Sequence, residues 1–136
     1  MYSHTNQFFY SAKEKVSRHF SVLFSSRAAY AYIISAILLQ AVDWAFAWYI
    51  QSRLGAELLI LHNNPYFGID WIASSGQIFM IPAWSAAFLL LDFILSLILV
   101  KKNLGRFLAN FLLATAVLAS VFSLASLFFI YLINFH

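Results

Sequence analysis

Cysteine is absent from this chain, which excludes disulfides, thiolate nucleophiles and zinc–thiolate centres. Charge is nearly as scarce. Only 10% of the residues are charged, against about 25% in an ordinary soluble domain. Eight basic residues face five acidic ones, for a net charge of +3. The bases flank apolar runs and form no patch, so they are not a nucleic-acid footprint. The chain has no internal repeat and no low-complexity tail. Apolar residues fill the remainder: 63% of 136 residues, with a mean hydropathy of +0.82. A soluble fold of this length cannot hide so much apolar surface. A bilayer supplies the missing apolar solvent. The length allows one domain, so residues 1–136 are read as a single integral membrane domain.

Three stretches have the length of a span, which is about 20 mostly apolar residues. They are AAYAYIISAILLQAVDWAFAWYI (Ala28–Ile50), IFMIPAWSAAFLLLDFILSLILV (Ile78–Val100) and FLANFLLATAVLASVFSLASLFFIYLINF (Phe107–Phe135). Lipid tolerates no open sheet edge, so each reads as a helix. The third exceeds the lipid thickness and is expected to tilt or extend past it. Pro82 falls in the first turn of the second helix, where no amide donor is needed. The KKNLGR link (Lys101–Arg106) is short and makes the second and third helices an antiparallel hairpin. The expected fold is an all-α membrane protein with three transmembrane helices and an N-terminal amphipathic helix. A short β-hairpin is an option in the outer link.

Charge gives the orientation. Lys13, Lys15, Arg18 and Arg27 precede the first span, and Lys101, Lys102 and Arg106 join the other two. The link from Gln51 to Gln77 holds Arg53 alone. The positive-inside rule puts the N-terminus and KKNLGR in the cytoplasm, and that link and His136 outside. Aromatic placement agrees. Trp44, Trp48, Trp71 and Trp84 all fall near the outer boundary, with Tyr49 and Tyr131, while Tyr30 marks the inner one. The first span begins too late and runs too long for an ordinary cleaved signal peptide, so it reads as an uncleaved anchor.

The stretch SAKEKVSRHFSVLFSSR (Ser11–Arg27) precedes the first span. Phe9, Ala12, Val16, Phe20, Leu23 and Phe24 share one helical face, and Ser11, Glu14, Lys15 and Arg18 lie on or near the other. Ser11 and Glu14 have the spacing of a capping box. A basic amphipathic helix beside a span lies in the headgroup layer, here against the anionic inner leaflet. The functional alternative is a docking helix for a partner.

Asp43 and Asp92 are the costly residues, since a mid-membrane Asp costs about 3 kcal/mol on insertion scales. The first and second helices run in opposite directions, with Asp43 about two turns before the outer end of the first and Asp92 about two turns before the inner end of the second. They are therefore expected at different depths, which is poor placement for a catalytic dyad. The leading reading is interhelical glue, with each carboxyl neutral and donating to a neighbouring helix. Gln40, Ser96, Asn110 and Thr115 are the candidate acceptors. Proton or ion handling is the second reading and catalysis the third. The third helix carries Ala116, Ala119, Ser120, Ser123 and Ser126 at near-helical spacing. Such a stripe permits close approach in lipid, either within the chain or against another subunit.

The outer link, QSRLGAELLILHNNPYFGIDWIASSGQ, holds two apolar runs separated by HNNP. Asn64-Pro65 is a turn-starting pair, and Gly68 permits a backbone conformation that other residues resist. The runs have the pattern of a short hairpin lying on the outer interface. Ser75 is a candidate N-cap for the second helix. His62 and Asp70 could meet across the hairpin, and a His–Asp pair can serve acid–base work. The bland alternative is that these polar atoms satisfy the backbone of a packed link. His62, Asn64 and Asp70 thus join Asp43 and Asp92 as candidate functional polar residues. No catalytic, cofactor-binding or metal set is assigned.

LHNNPYFGID resembles the L-H-x-N-x-Y-F-G-I-D stretch of small uncharacterised bacterial membrane proteins. The likeness continues through Pro82, the lysines and the third helix, over roughly the C-terminal half. Those proteins carry I-G-P-W after the motif, where this chain has IASSG. The resemblance implies a bacterial cytoplasmic-membrane protein and no chemistry. A fainter resemblance is to lipoprotein signal peptidases. Those have an Asp in the first helix and an outer segment N-x-G-x-A-F-G, to which Asp43 and Asn64 to Gly68 are similar. G-N-x-x-D-R and N-x-A-D, which hold the paired aspartates, are missing here, so that likeness implies architecture alone. The function expected is a non-catalytic interaction or assembly component of a membrane complex. The alternative is a transporter-like or proton-handling subunit using Asp43 and Asp92, with a carboxylate-dependent membrane enzyme third. The expected partners are the lipid bilayer and another membrane subunit at the small-residue face.

Overall fold

A computed structural model of the chain describes residues 17, 19–55, 58–64, 68–100 and 104–135, and of 62–64 and 68–71 the backbone alone. The proposed capping box at Ser11 and Glu14, with Lys13, Lys15 and Arg18, lies outside the described residues. Residues 19–24 are helical. Ser26 then leaves the helical region (φ −87°, ψ 117°), and its side chain accepts from the Ala29 amide at 3.4 Å. That N-cap separates the arm from the first long helix, α1 (Arg27–Leu54). Of the arm's apolar face, Leu23 is buried while Phe20 and Phe24 stay exposed.

Helix α1 continues past Ile50 because Ile50 and Leu54 have a core to enter. It stops at Gly55, whose φ of 61° lies in the left-handed region that favours glycine. The Gly55 amide donates to the Gln51 carbonyl at 2.9 Å. Strands β1 (Leu58–Asn64) and β2 (Gly68–Ser74) follow as an antiparallel pair. A 3-10 turn (Ser75–Phe79) leads into α2 (Met80–Leu99), and α3 (Gly105–Phe135) completes the chain. The three helices are long and apolar enough to cross a membrane.

Ser75 does not cap α2. Its hydroxyl donates to the Gly55 carbonyl at 2.8 Å and ties the two ends of the link together. Phe79 occupies the N-cap position without a side-chain bond, because the 3-10 turn already supplies the helix's first carbonyls. Pro82 is the third residue of α2, where its missing amide costs nothing.

The helices run up, down and up, with α3 packed along both others and little contact between α1 and α2. One apolar core closes each end. At the arm's end Leu23, Ala29, Val100, Ala109 and Leu113 come together. At the hairpin end Ala47, Ile50, Leu54, Leu59, Ile78, Leu127 and Ile130 do so. Gly105 makes the tight α2–α3 connection possible, since a Cβ there would overlap the Leu99 carbonyl. Leu104 beside it adopts a φ of 62°, and its side chain is exposed.

Candidate functional site

Between the two apolar cores lies a polar layer to which all three helices contribute a pair of residues one turn apart. Helix α1 supplies Gln40 and Asp43, α2 supplies Pro82 and Ser85, and α3 supplies Ser120 and Ser123. Residues three apart on a helix share a face, so each pair can meet its neighbours at one level. Gln40 Nε2 donates to the Pro82 carbonyl at 2.7 Å. Ser85 Oγ donates to Ser120 Oγ at 3.4 Å, and Ser120 Oγ in turn to the Ala116 carbonyl at 3.3 Å. Asp43 is fully buried, with the Ser123 hydroxyl beside it. Both Asp43 oxygens, Ser123 Oγ and Gln40 Oε1 are nevertheless buried without a hydrogen-bond partner.

Asp92 sits elsewhere and is differently served. It is half-buried on α2, and its Oδ2 accepts from Thr115 Oγ1 on α3 at 3.0 Å. Thr115 also donates to the Leu112 carbonyl at 2.7 Å, as a threonine in a helix commonly does. Ser123 and Thr115 are eight residues apart on α3, so the two carboxyls lie about 12 Å apart along the helix axis. Of the four acceptors expected for them, Thr115 meets Asp92 but as the donor, so the expected direction is reversed, while Gln40 binds the Pro82 carbonyl and Asp43 donates to none of them. Ser96 donates to the Ala109 carbonyl at 3.2 Å. Among the described residues no group of three histidines, aspartates or glutamates could hold a metal ion.

The small-residue stripe of α3 divides. Ala116, Ser120 and Ser123 are buried inside the chain. Ala119 and Ser126 line a groove of about 320 Å³ between α2 and α3. A second groove, about 310 Å³, opens on the arm side among Ile33, Ile37, Leu89, Phe93, Leu113 and neighbouring apolar residues.

The outer link forms the hairpin that its two apolar runs allow. Its register pairs Ile60 with Ile72, His62 with Trp71 and Asn64 with Gly68. Leu61 and Asp70 are left over, one on each strand, as bulges. His62 therefore stands opposite Trp71, one residue from Asp70 in the backbone register. Pro65, Tyr66 and Phe67 lie outside the described residues, as do the side chains of His62, Asn64, Asp70 and Trp71. Asn134, near the end of α3, anchors the hairpin. Its amide accepts from the Ile60 N–H at 3.0 Å and donates to the Ile60 carbonyl at 2.8 Å. One side chain thus stands in for a third strand at that rung. Sequence reasoning passed over Asn134. The signal was present, since it is the one polar side chain besides Tyr131 within FFIYLINF.

Aromatic rings collect at the same end. Trp44 stacks on Phe79 at 5.8 Å between centroids, and Tyr131 lies 5.8 Å from Phe46 and 4.9 Å from Phe135. The Arg53 guanidinium lies 5.4 Å from the Tyr49 ring centroid. These features define a class: a small bundle of three membrane-length apolar helices capped at one end by a hairpin. No family model, curated protein or solved structure matches the chain.

Proposed function

We propose that the chain is a three-span integral membrane protein of the bacterial cytoplasmic membrane, with its N-terminus inside and its C-terminus outside. It acts as a non-catalytic interaction or assembly component of a membrane complex. One observation carries this reading: several polar groups of the helices serve the chain's own packing. Asp92, Ser85, Ser96 and Asn134 each engage a neighbouring element of the same chain. What the helices present outward is broad and apolar, including Trp48, Trp84, Phe107, Phe122 and Phe129. In lipid such a surface associates by shape, with small residues such as Ala119 allowing close approach. The orientation follows from the seven basic residues assigned to the inner side, against Arg53.

A second reading, a proton-handling subunit, is favoured by the unpartnered Asp43 carboxyl. Joint use of Asp43 and Asp92 is disfavoured by their separation along the bundle. The same separation weighs against a carboxylate-dependent enzyme, which needs two carboxyls a few ångströms apart. Affinity isolation of the full chain from its native membranes tests the proposal. A defined membrane protein should co-purify in near-stoichiometric amount, with wild type and with Asp92→Asn alike. A chain that purifies alone while Asp92→Asn abolishes a proton flux would overturn it.

A further inference from the structure

The four unpartnered buried atoms of the polar layer form a set: Asp43 Oδ1, Asp43 Oδ2, Gln40 Oε1 and Ser123 Oγ. The orientation of Gln40 is fixed, because its Nε2 already donates to the Pro82 carbonyl. Its oxygen must therefore look for a donor. With an ionised Asp43 the set holds three pure acceptors and one donor, the Ser123 hydroxyl. It is short by two donors, and protonating Asp43 supplies both sides of the balance, because it turns one acceptor into a donor. A single proton closes the count. Ser123 then donates to one Asp43 oxygen, and the other, now a hydroxyl, donates to Gln40 Oε1 one turn away on the same face. We infer that Gln40, Asp43 and Ser123 form a binding site for one proton, and that this proton exchanges through the groove between α2 and α3.

The surroundings agree. From α3 the groups at this level are Ser120 and Ser123, and α2 approaches through Pro82 and Ser85. The described charged groups of the three helices lie well away along the axis. Arg27 and Arg53 are about 24 Å and 15 Å from Asp43 along α1, and Arg106 is about 26 Å from Ser123 along α3. Tyr49 and Tyr131 belong to the aromatic cluster at the hairpin end. Asp92 is about 12 Å away along the axis and has Thr115. Among the described residues no cation lies beside Asp43, and a proton supplies the balancing charge. Ser85 and Ser123 line the groove of about 320 Å³, and Ser123 is also the hydroxyl beside Asp43. Both ends of the Ser85–Ser120 hydrogen bond lie in the same layer. The inference does not rest on the assembly reading; a proton site is compatible with either its success or its failure.

The test is infrared spectroscopy of the full-length protein in lipid nanodiscs at neutral pH. A protonated-carboxyl C=O absorption is expected, lost in Asp43→Asn and retained in Asp92→Asn. Ser123→Ala should shift its frequency by removing one hydrogen bond. Ala119→Phe, which fills the groove without touching the carboxyl, should slow its exchange in D2O several-fold. Sodium in place of potassium should leave it unchanged. Should Asp43→Asn fail to fold, carboxyl-13C-aspartate in an Asp70→Asn, Asp92→Asn background reads Asp43 alone in an otherwise native chain. An ionised Asp43 at neutral pH would overturn the proton assignment, as would an absorption abolished by sodium, which identifies a metal cation as the occupant. Exchange unaffected by Ala119→Phe would overturn the groove as the route.

Discussion

Replacing Asn134 by Ala removes three hydrogen bonds at once, and two of them hold the hairpin. The side chain satisfies the outward-facing N–H and C=O of Ile60, at 3.0 and 2.8 Å, and reaches back to the Ile130 carbonyl at 2.8 Å. The Ile130 carbonyl keeps its helical surroundings, so its loss matters little. Ile60 is different. It is half-buried between α3 and the hairpin core, next to fully buried Leu59. Leaving a buried backbone group unpaired costs about 1–3 kcal/mol. Two such groups at a half-buried site give about 2–4 kcal/mol for the hairpin's attachment to α3. At about 1.4 kcal/mol per tenfold, local opening should become roughly 30- to 1,000-fold more frequent. Hydrogen exchange of residues 58–64 in nanodiscs reads this directly. Protection should fall there and stay near wild type in the middle of α1 and α3. Asn134→Asp is a sharper probe. It keeps the acceptor for the Ile60 N–H but sets a carboxylate oxygen against the Ile60 carbonyl, and should loosen the hairpin at least as much. Wild-type protection of Ile60 in both variants would refute the clamp.

Other perturbations separate packing from chemistry. Gly105→Ala should lower the thermal midpoint in detergent, at a cost of about 1–3 kcal/mol, because its methyl meets the Leu99 backbone, which cannot step aside; an unchanged midpoint would contradict the tight connection. Leu104→Gly should raise the same midpoint, relieving about 1 kcal/mol of left-handed strain at φ 62°, and a fall would show that the exposed leucine is held by contacts of its own. Asp92→Asn should be close to neutral in folded yield, since the amide oxygen still accepts from Thr115, whereas Thr115→Val leaves that oxygen without its donor and should cost about 1–3 kcal/mol. Equal effects from the two would mean that charge, and not the hydrogen bond, is what the site needs.

Much of the architecture was legible because apolar run length is a direct physical requirement of a helix in lipid. Arg27–Leu54, Met80–Leu99 and Gly105–Phe135 contain or nearly match the expected spans. Their ends moved where local chemistry outweighed hydropathy. QSRL extends α1 because Leu54 buries against the hairpin core, and Ser75 serves Gly55 because the 3-10 turn intervenes. The hairpin was legible from its two apolar runs. Its bulges at Leu61 and Asp70 were not, since register depends on what lies beneath the sheet. Thr115 is one of four candidates for the two aspartates together; that it serves Asp92, and as the donor, depends on how α2 and α3 face each other. In the sequence Ser123 belongs to a small-residue stripe, and its place beside Asp43 depends on the rotation of α3, which periodicity leaves open. Asn134 and Gly105 each act at a single place in the fold, and no sequence pattern surrounds them.

The central claim is that three helices cross the bilayer with the hairpin on the outer side. The absence of cysteine makes one measurement direct, because every introduced thiol is the only one. Single substitutions at exposed Leu58 on the hairpin, Leu104 at the opposite end and Ile37 on the open face of α1 sample three depths. Labelling of intact cells with a membrane-impermeant maleimide should modify Leu58→Cys alone. Leu104→Cys should react only after permeabilisation, and Ile37→Cys only after lipid is removed by denaturing detergent. Labelling of Leu104→Cys in intact cells, with Leu58→Cys protected, would reverse the orientation; ready labelling of Ile37→Cys in intact membranes would show that α1 does not cross at all.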